Sequence, residues 1–158
     1  MAMAEEAEPT LASAISGLRE PRAGLYTAGQ PDVGAWTAAA RHGVTTVVDL
    51  RPENELAGRD EAAEVAAAGL AYHRLPVAGA GDVNMDNAEQ LRQLIEQAPG
   101  PVLVHCASGN RVGALLALGA AKGNGMTTEQ AIAFGRDAGL GSLEPRVREV
   151  LESAPAAE

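Results

Sequence analysis

Cysteine is nearly absent from this chain: Cys106 is alone among 158 residues. That excludes an internal disulfide and leaves no resolving thiol for a two-cysteine redox cycle. Aromatic residues make up only 3%, against 46% hydrophobic residues overall, so alanine, valine and leucine must do the packing. Basic charge is short too. Twelve Lys and Arg against 21 Asp and Glu leave a formal net charge of -9, which argues against nucleic acid as a partner, because phosphate backbones need a basic surface. It does not argue against a small anion, which answers to the field in one pocket. No apolar run approaches the ~20 residues of a membrane span, so no membrane partner is expected. Met1 to Thr10 lacks the basic and apolar regions of a signal peptide. With a lone thiol, a reducing, cytoplasmic setting is the default expectation. Neither a dinucleotide fingerprint, a Walker loop nor a metal-ligand cluster is present, so no cofactor and no metal are expected.

The length suits one domain. Residues 1–20 and 152–158, rich in Ala, Glu and Pro, read as flexible ends around a single domain over 21–151. Within it, strand and helix signals alternate. Leu25 to Thr27 is a short strand, and Asp32 caps a helix closed by Gly43. The β-branched run Val44 to Leu50 fits a buried strand. Asp60 and Glu61 open a helix that Gly69 ends. Leu70 to Val77 is a third strand, stopped by Pro76 and the Gly79-Ala80-Gly81 loop. A helix over 86–97 puts Ala88, Leu91, Leu94 and Ile95 on one face, with Asp86 and Glu89 at cap spacing. Pro101 to His105 is a fourth strand, and Arg111 to Lys122, apolar almost all round, is a central buried helix. Thr127 with Gln130 starts another helix, and a last one covers 144–151. The expected fold class is α/β, a central, mainly parallel sheet flanked by helices.

Function is most legible between Val102 and Gly113, where a buried strand ends, a loop of small residues follows and a helix starts at once. Such a loop turns several backbone N–H groups toward one centre at the positive end of a helix, where an anion is stabilised. A cysteine at the mouth of that cradle is favoured as thiolate, its pKa expected to fall from ~8.5 into the range of reactive thiols. Gly109 supplies the conformational freedom the loop needs. Arg111 offers a planar fork for two oxygens of a tetrahedral anion. Set against this is the ordinary role of a lone cysteine as a small buried hydrophobe. His105 either contacts the substrate anion or is satisfied by backbone hydrogen bonds that hold the loop in shape.

His105-Cys106-x-x-Gly109 resembles the signature of protein tyrosine and dual-specificity phosphatases. The wider pattern is similar to the bacterial beta-lactamase-hydrolase-like, phosphatase-like family over about residues 24–120. It includes Tyr26-Thr27-Ala28-Gly29-Gln30-Pro31, Val48-Asp49-Leu50-Arg51-Pro52-Glu53 and Tyr72-His73-Arg74-Leu75-Pro76-Val77. The resemblance implies a dual-specificity-phosphatase-like fold in which Cys106 is the nucleophile and Arg111 binds phosphate or a sulfur anion. Ala107, Ser108, Gly109 and Asn110 would complete the substrate cradle, and Gln30 is a lesser candidate. A phosphatase also needs an acid for the leaving oxygen. Asp82, in a Gly-flanked loop free to close over a pocket, suits that role better than Asp86, which has a helix to cap. Arg51, at the carboxyl edge of the sheet, either adds positive potential to the substrate site or pairs with Glu53 or Glu55. Asp49 reads as structural, since an unpaired buried carboxylate would repel the anion.

Two departures keep other readings open. Tyrosine phosphatases carry one residue more between Cys and Arg than the four here, and the shorter loop resembles that of rhodaneses, which carry a persulfide. The position after Arg111, Ser or Thr in most such phosphatases, is Val112. The leading expectation is a cysteine-dependent phosphatase acting on a small anionic substrate or a phosphoprotein. The alternatives are a rhodanese-like sulfurtransferase and a catalytically silent anion-binding module. Nothing in the sequence sets an oligomeric state.

Overall fold

The computed structural model describes residues 10–56 and 58–153. Five strands form one sheet: β1 (Arg19–Arg22), β2 (Leu25–Ala28), β3 (Thr46–Asp49), β4 (Ala71–Arg74) and β5 (Val102–His105), in the order β1-β2-β5-β3-β4. All neighbours are parallel except β1 with β2. The order places β5 at the centre, and every residue of β3 and β5 is buried, as strands covered on both faces must be.

Side chains alternate between the two faces. Val48, Val102 and Val104 face a core built with α4 (Met85–Gln97), α5 (Asn110–Gly123), α6 (Thr128–Asp137) and α7 (Glu144–Ser153). Val47 and Leu103 face a second core with α1 (Leu11–Ala14), α2 (Ala35–Arg41) and α3 (Glu61–Ala67), around the fully buried Trp36. Asp49 and His105 share the register of that second face, side by side at the carboxyl edge. Two polar residues are thereby placed directly beneath the loop that follows β5.

Helix α5 is buried nearly all round, as its composition predicts. Gly113 lets it approach α6 closely: a Cβ there would lie 2.6 Å from the Gly135 carbonyl oxygen and 2.2 Å from the Leu140 amide. The capping box of Thr127 and Gln130 is formed as expected at α6. Among the described residues, no helix is long and apolar enough to cross a membrane.

Several local expectations are corrected. Residues 10–20, read as part of a flexible end, hold α1 and the start of β1, with Leu11 and Ile15 buried in the second core; residues 1–9 and 154–158 lie outside the described residues. The charged β1 is an edge strand whose pairing with β2, not its own hydrophobicity, makes it a strand. Asp32 is not the cap of α2, which starts at Ala35 without a side-chain cap. Asn84, not Asp86, caps α4, accepting from the Asn87 amide at 2.8 Å.

Candidate active site

The loop after β5 is built so that its carbonyls are held from behind. Gln30 N–H donates to the Ala107 carbonyl at 3.1 Å, and His105 Nδ1 lies 3.2 Å from the Cys106 carbonyl. A Cβ at Gly29 would sit 2.6 Å from that same Ala107 oxygen, so only glycine permits this approach. With these two carbonyls engaged behind, one loop amide faces the thiol: the Gly109 N–H donates to Cys106 Sγ at 3.0 Å. Gly109 takes φ 92°, a left-handed conformation that favours glycine, and α5 begins at the next residue. Cys106 is thus buried and directed at an amide and the first turn of a 14-residue helix.

Ala107 and Ser108 are exposed at the loop crest. The Asn110 side chain turns away to the α6–α7 connection, accepting from the Gly141 and Leu143 amides and donating to Ser142 Oγ. Its expected contribution to the cradle is therefore limited to its backbone, while its amide group fastens the loop to its neighbour.

Arg111, in the first turn of α5, is held end-on by Glu55: Nη2 donates to Oε1 at 2.6 Å and Nη1 to Oε2 at 3.0 Å. Nη1 also donates to the Val77 carbonyl at 2.7 Å. Burial works against its charge, but Glu55 and the adjacent Cys106 sulfur outweigh it and hold the guanidinium pKa above its ordinary value. The end-on grip engages both Nη atoms with Glu55 and leaves Nε out of that pair. Nothing in the sequence singled out Glu55 for this role; it was a possible partner for Arg51.

Arg51 and His105, both expected as substrate binders, lie in a buried network instead, and this corrects the expectation. Arg51 is 3% exposed. It bonds Asp49 through Nε and Nη2, Glu61 through Nη2 and the Glu55 carbonyl through Nη1, which occupies its donors behind the loop. His105 Nε2 meets Glu61 Oε2 at 2.5 Å, and its ring packs on Trp36. Tyr72 donates to Asp49 at 2.7 Å, and Gln30 donates through Nε2 to Glu61 at 2.8 Å. Burial opposes the charge of Asp49, but the Arg51 hydrogen bonds, His105 and Tyr72 outweigh it and lower its pKa. Burial likewise raises the pKa of the Tyr72 hydroxyl, and Asp49 adds to the rise. Ligand atoms of Asp49, Glu61 and His105 lie within 4.8 Å of one another. The Arg51 guanidinium, bonded to both carboxylates, already supplies the cation, so the cluster is an ion-pair network rather than a metal centre.

Asp82 closes a short 3₁₀ turn, Ala80–Asp82, and its Oδ2 accepts from the Ala78 amide at 2.8 Å. Ala78 follows Val77, whose carbonyl Arg111 holds, so the Asp82 loop and Arg111 share one strip of backbone. Among the described residues no group donates to Oδ1 of Asp82.

The described geometry has clear relatives. Residues 17–123 match the model of the beta-lactamase hydrolase-like protein, phosphatase-like domain. A beta-lactamase hydrolase-like protein of Xylella fastidiosa is 34% identical over 120 residues, which cover 73% of this chain and 28% of that one. The chain therefore spans about a quarter of the length of this curated relative. A putative phosphatase from Neisseria meningitidis, 27% identical, superposes with a TM-score of 0.71 over 84% of this chain and 96% of its own. TpbA of P. aeruginosa, solved in complex with pTyr, shares the fold at 21% identity and a TM-score of 0.60, covering 85% of this chain and 81% of that one.

Proposed function

The chain belongs to the beta-lactamase hydrolase-like, phosphatase-like domain family, and from that premise we propose that it hydrolyses phosphomonoesters through a cysteinyl-phosphate intermediate. The observation that carries this reading is the aim of the Gly109 N–H at Cys106 Sγ, with the Arg111 guanidinium beside the same sulfur. An amide, a helix N-terminus and a guanidinium around one thiol favour both the thiolate and the phosphoryl oxygens it would attack.

In the proposed cycle the Cys106 thiolate attacks phosphorus in line with the ester oxygen. The S–P bond forms as the P–O bond breaks, and Asp82 gives its proton to the departing oxygen. The loop amides and Arg111 hold the three equatorial oxygens. Asp82, now a carboxylate, takes a proton from water as that water attacks the cysteinyl phosphate, which releases phosphate and restores the thiolate. Val112, buried in the core, offers no hydroxyl to this second step. Candidate substrates are a small phosphate ester or a phosphoprotein, in the cytoplasm, where a lone thiol stays reduced.

The four-residue loop from Ala107 to Asn110 favours one competing reading, sulfur transfer with a persulfide on Cys106. Intact mass after rapid quenching separates them. An added phosphoryl group after exposure to para-nitrophenyl phosphate supports the phosphatase. One added sulfur after thiosulfate, with no phosphoryl adduct, supports the sulfurtransferase. With neither adduct, the chain is an anion-binding module.

A further inference from the structure

Arg146 lies on α7, far along the chain from every residue of the cycle above, yet its side chain reaches the loop that carries Asp82. Its Nε donates to the Ala80 carbonyl at 2.8 Å and to the Val83 carbonyl at 3.2 Å. Its Nη1 meets Glu149 Oε1 at 2.5 Å, one turn along the same helix, which fixes the other end of the guanidinium. The two carbonyls bracket Asp82, one on each side of it in the chain. We propose that Arg146 is a positioning residue for Asp82, setting where the acid stands relative to the leaving oxygen. The inference rests on the reading of Asp82 as the general acid.

The loop needs such a tether. Val77 and Val83 are both fully buried and pin its two ends in the core. Between them no residue is buried, and two of the five are glycines, Gly79 and Gly81, which leave the backbone wide freedom. What orders the stretch is therefore hydrogen bonding. Asp82 Oδ2 closes on the Ala78 amide, and Asn87 Nδ2 donates to the Asp82 carbonyl at 2.7 Å. Among the described residues, Arg146 alone reaches residues 78–83 by hydrogen bonds from beyond α4. Helix α7 gives it a firm base, because Val147, the next residue, is buried in the same core as Val83. A change at Arg146 thus reaches the acid through the Ala80 and Val83 carbonyls, neither of which belongs to the cysteine loop.

Arg146→Gln tests this when rates on two esters are compared. Phenyl phosphate has a poor leaving group and depends on a well-placed acid, whereas para-nitrophenyl phosphate depends on it much less. The variant is expected to lose roughly 10-fold or more in kcat on phenyl phosphate and less than about 3-fold on para-nitrophenyl phosphate. Added to Asp82→Asn, it should cost nothing further. The Ala78 amide, which reports on Asp82 through its hydrogen bond, should exchange faster with deuterium. Should the variant melt below the assay temperature, Glu149→Ala frees only the outer end of Arg146 and is expected to shift the same ratio in the same direction, less far. Equal losses on both esters, or a full further loss in the Asp82→Asn background, would overturn the positioning role. If Asp82→Asn separates the two esters and Arg146→Gln does not, the acid stands and the tether falls. If Asp82→Asn itself fails to separate them, the acid assignment falls and takes this inference with it.

Discussion

Glu55 and Arg111 meet end to end, each carboxylate oxygen receiving one terminal nitrogen of the guanidinium, at 2.6 and 3.0 Å. The pair joins the loop after β3 to the first turn of α5, two segments brought together by the parallel pairing of β3 with β5. A fork held at its tips cannot swing, so its remaining edge keeps a constant direction.

Glu55→Gln should therefore weaken anion binding without removing any group that touches the anion. The amide keeps the size but supplies one acceptor where the carboxylate supplied two. A fall of about 10-fold in kcat/KM for para-nitrophenyl phosphate is expected, with a parallel rise in the inhibition constant of orthophosphate. Unchanged values for both would show that Arg111 needs no partner to hold its direction.

Arg111→Lys keeps the charge and loses the fork. If two oxygens are bound side by side in the transition state, activity should drop on the order of 10²-fold or more. Combined with Glu55→Gln, the losses should not add, because Glu55 acts through the guanidinium. Activity retained in Arg111→Lys would reduce the arginine to a point charge.

Asp82→Asn distinguishes the two chemistries. An alkyl phosphate needs its leaving oxygen protonated, so a loss of ~10²–10⁴ is expected there. An aryl phosphate with an acidic phenol should lose less, and any thiosulfate reaction should hardly change, since sulfite departs without a proton from the enzyme. Equal rates for wild type and variant on both ester types would remove Asp82 from the mechanism.

Asp49 makes a stability prediction with a definite sign. Its pKa is lowered in the folded protein, so its contribution is fully present above the unfolded value of about 4 and is lost as pH falls through the lower folded value. Asp49→Asn leaves the buried Arg51 with Glu61 as its remaining carboxylate partner and should cost roughly 3 kcal/mol at neutral pH. Urea unfolding at a series of pH values should show the gap between wild type and variant narrowing below pH ~4. A gap that stays constant down through that range would mean that the Asp49 charge contributes nothing.

Much of the architecture and the core of the candidate site can be read from local sequence. The β-branched run at 44–50, the Val-Leu-Val of β5 and the apolar α5 announce buried elements, because burial on both faces leaves no polar periodicity. Cys106 at a strand end, Gly109 and Arg111 mark the candidate site for the same local reason: strand, loop and helix start within a dozen residues. Glycine at φ 92° is a requirement that one position expresses alone.

Partner choice among charges is different. Arg51, Glu55, Glu61 and Arg111 all lie near sheet or helix ends in the sequence, and pairing Arg51 with Glu55 is the natural local expectation. The fold does the reverse: Arg51 turns beneath the loop to Asp49 and Glu61, and the Glu55 carboxylate goes to Arg111, 56 residues away. Strand β1 and the Arg146 tether belong to the same class, since each exists only through a segment distant along the chain or a pairing register. Composition and periodicity thus determined which segments are buried and where a thiol could meet a helix N-terminus, because those follow from hydrophobicity and short-range backbone geometry. Which carboxylate holds which guanidinium was decided only by the tertiary structure, because a long charged side chain takes the partner that sheet order and burial bring within about 3 Å.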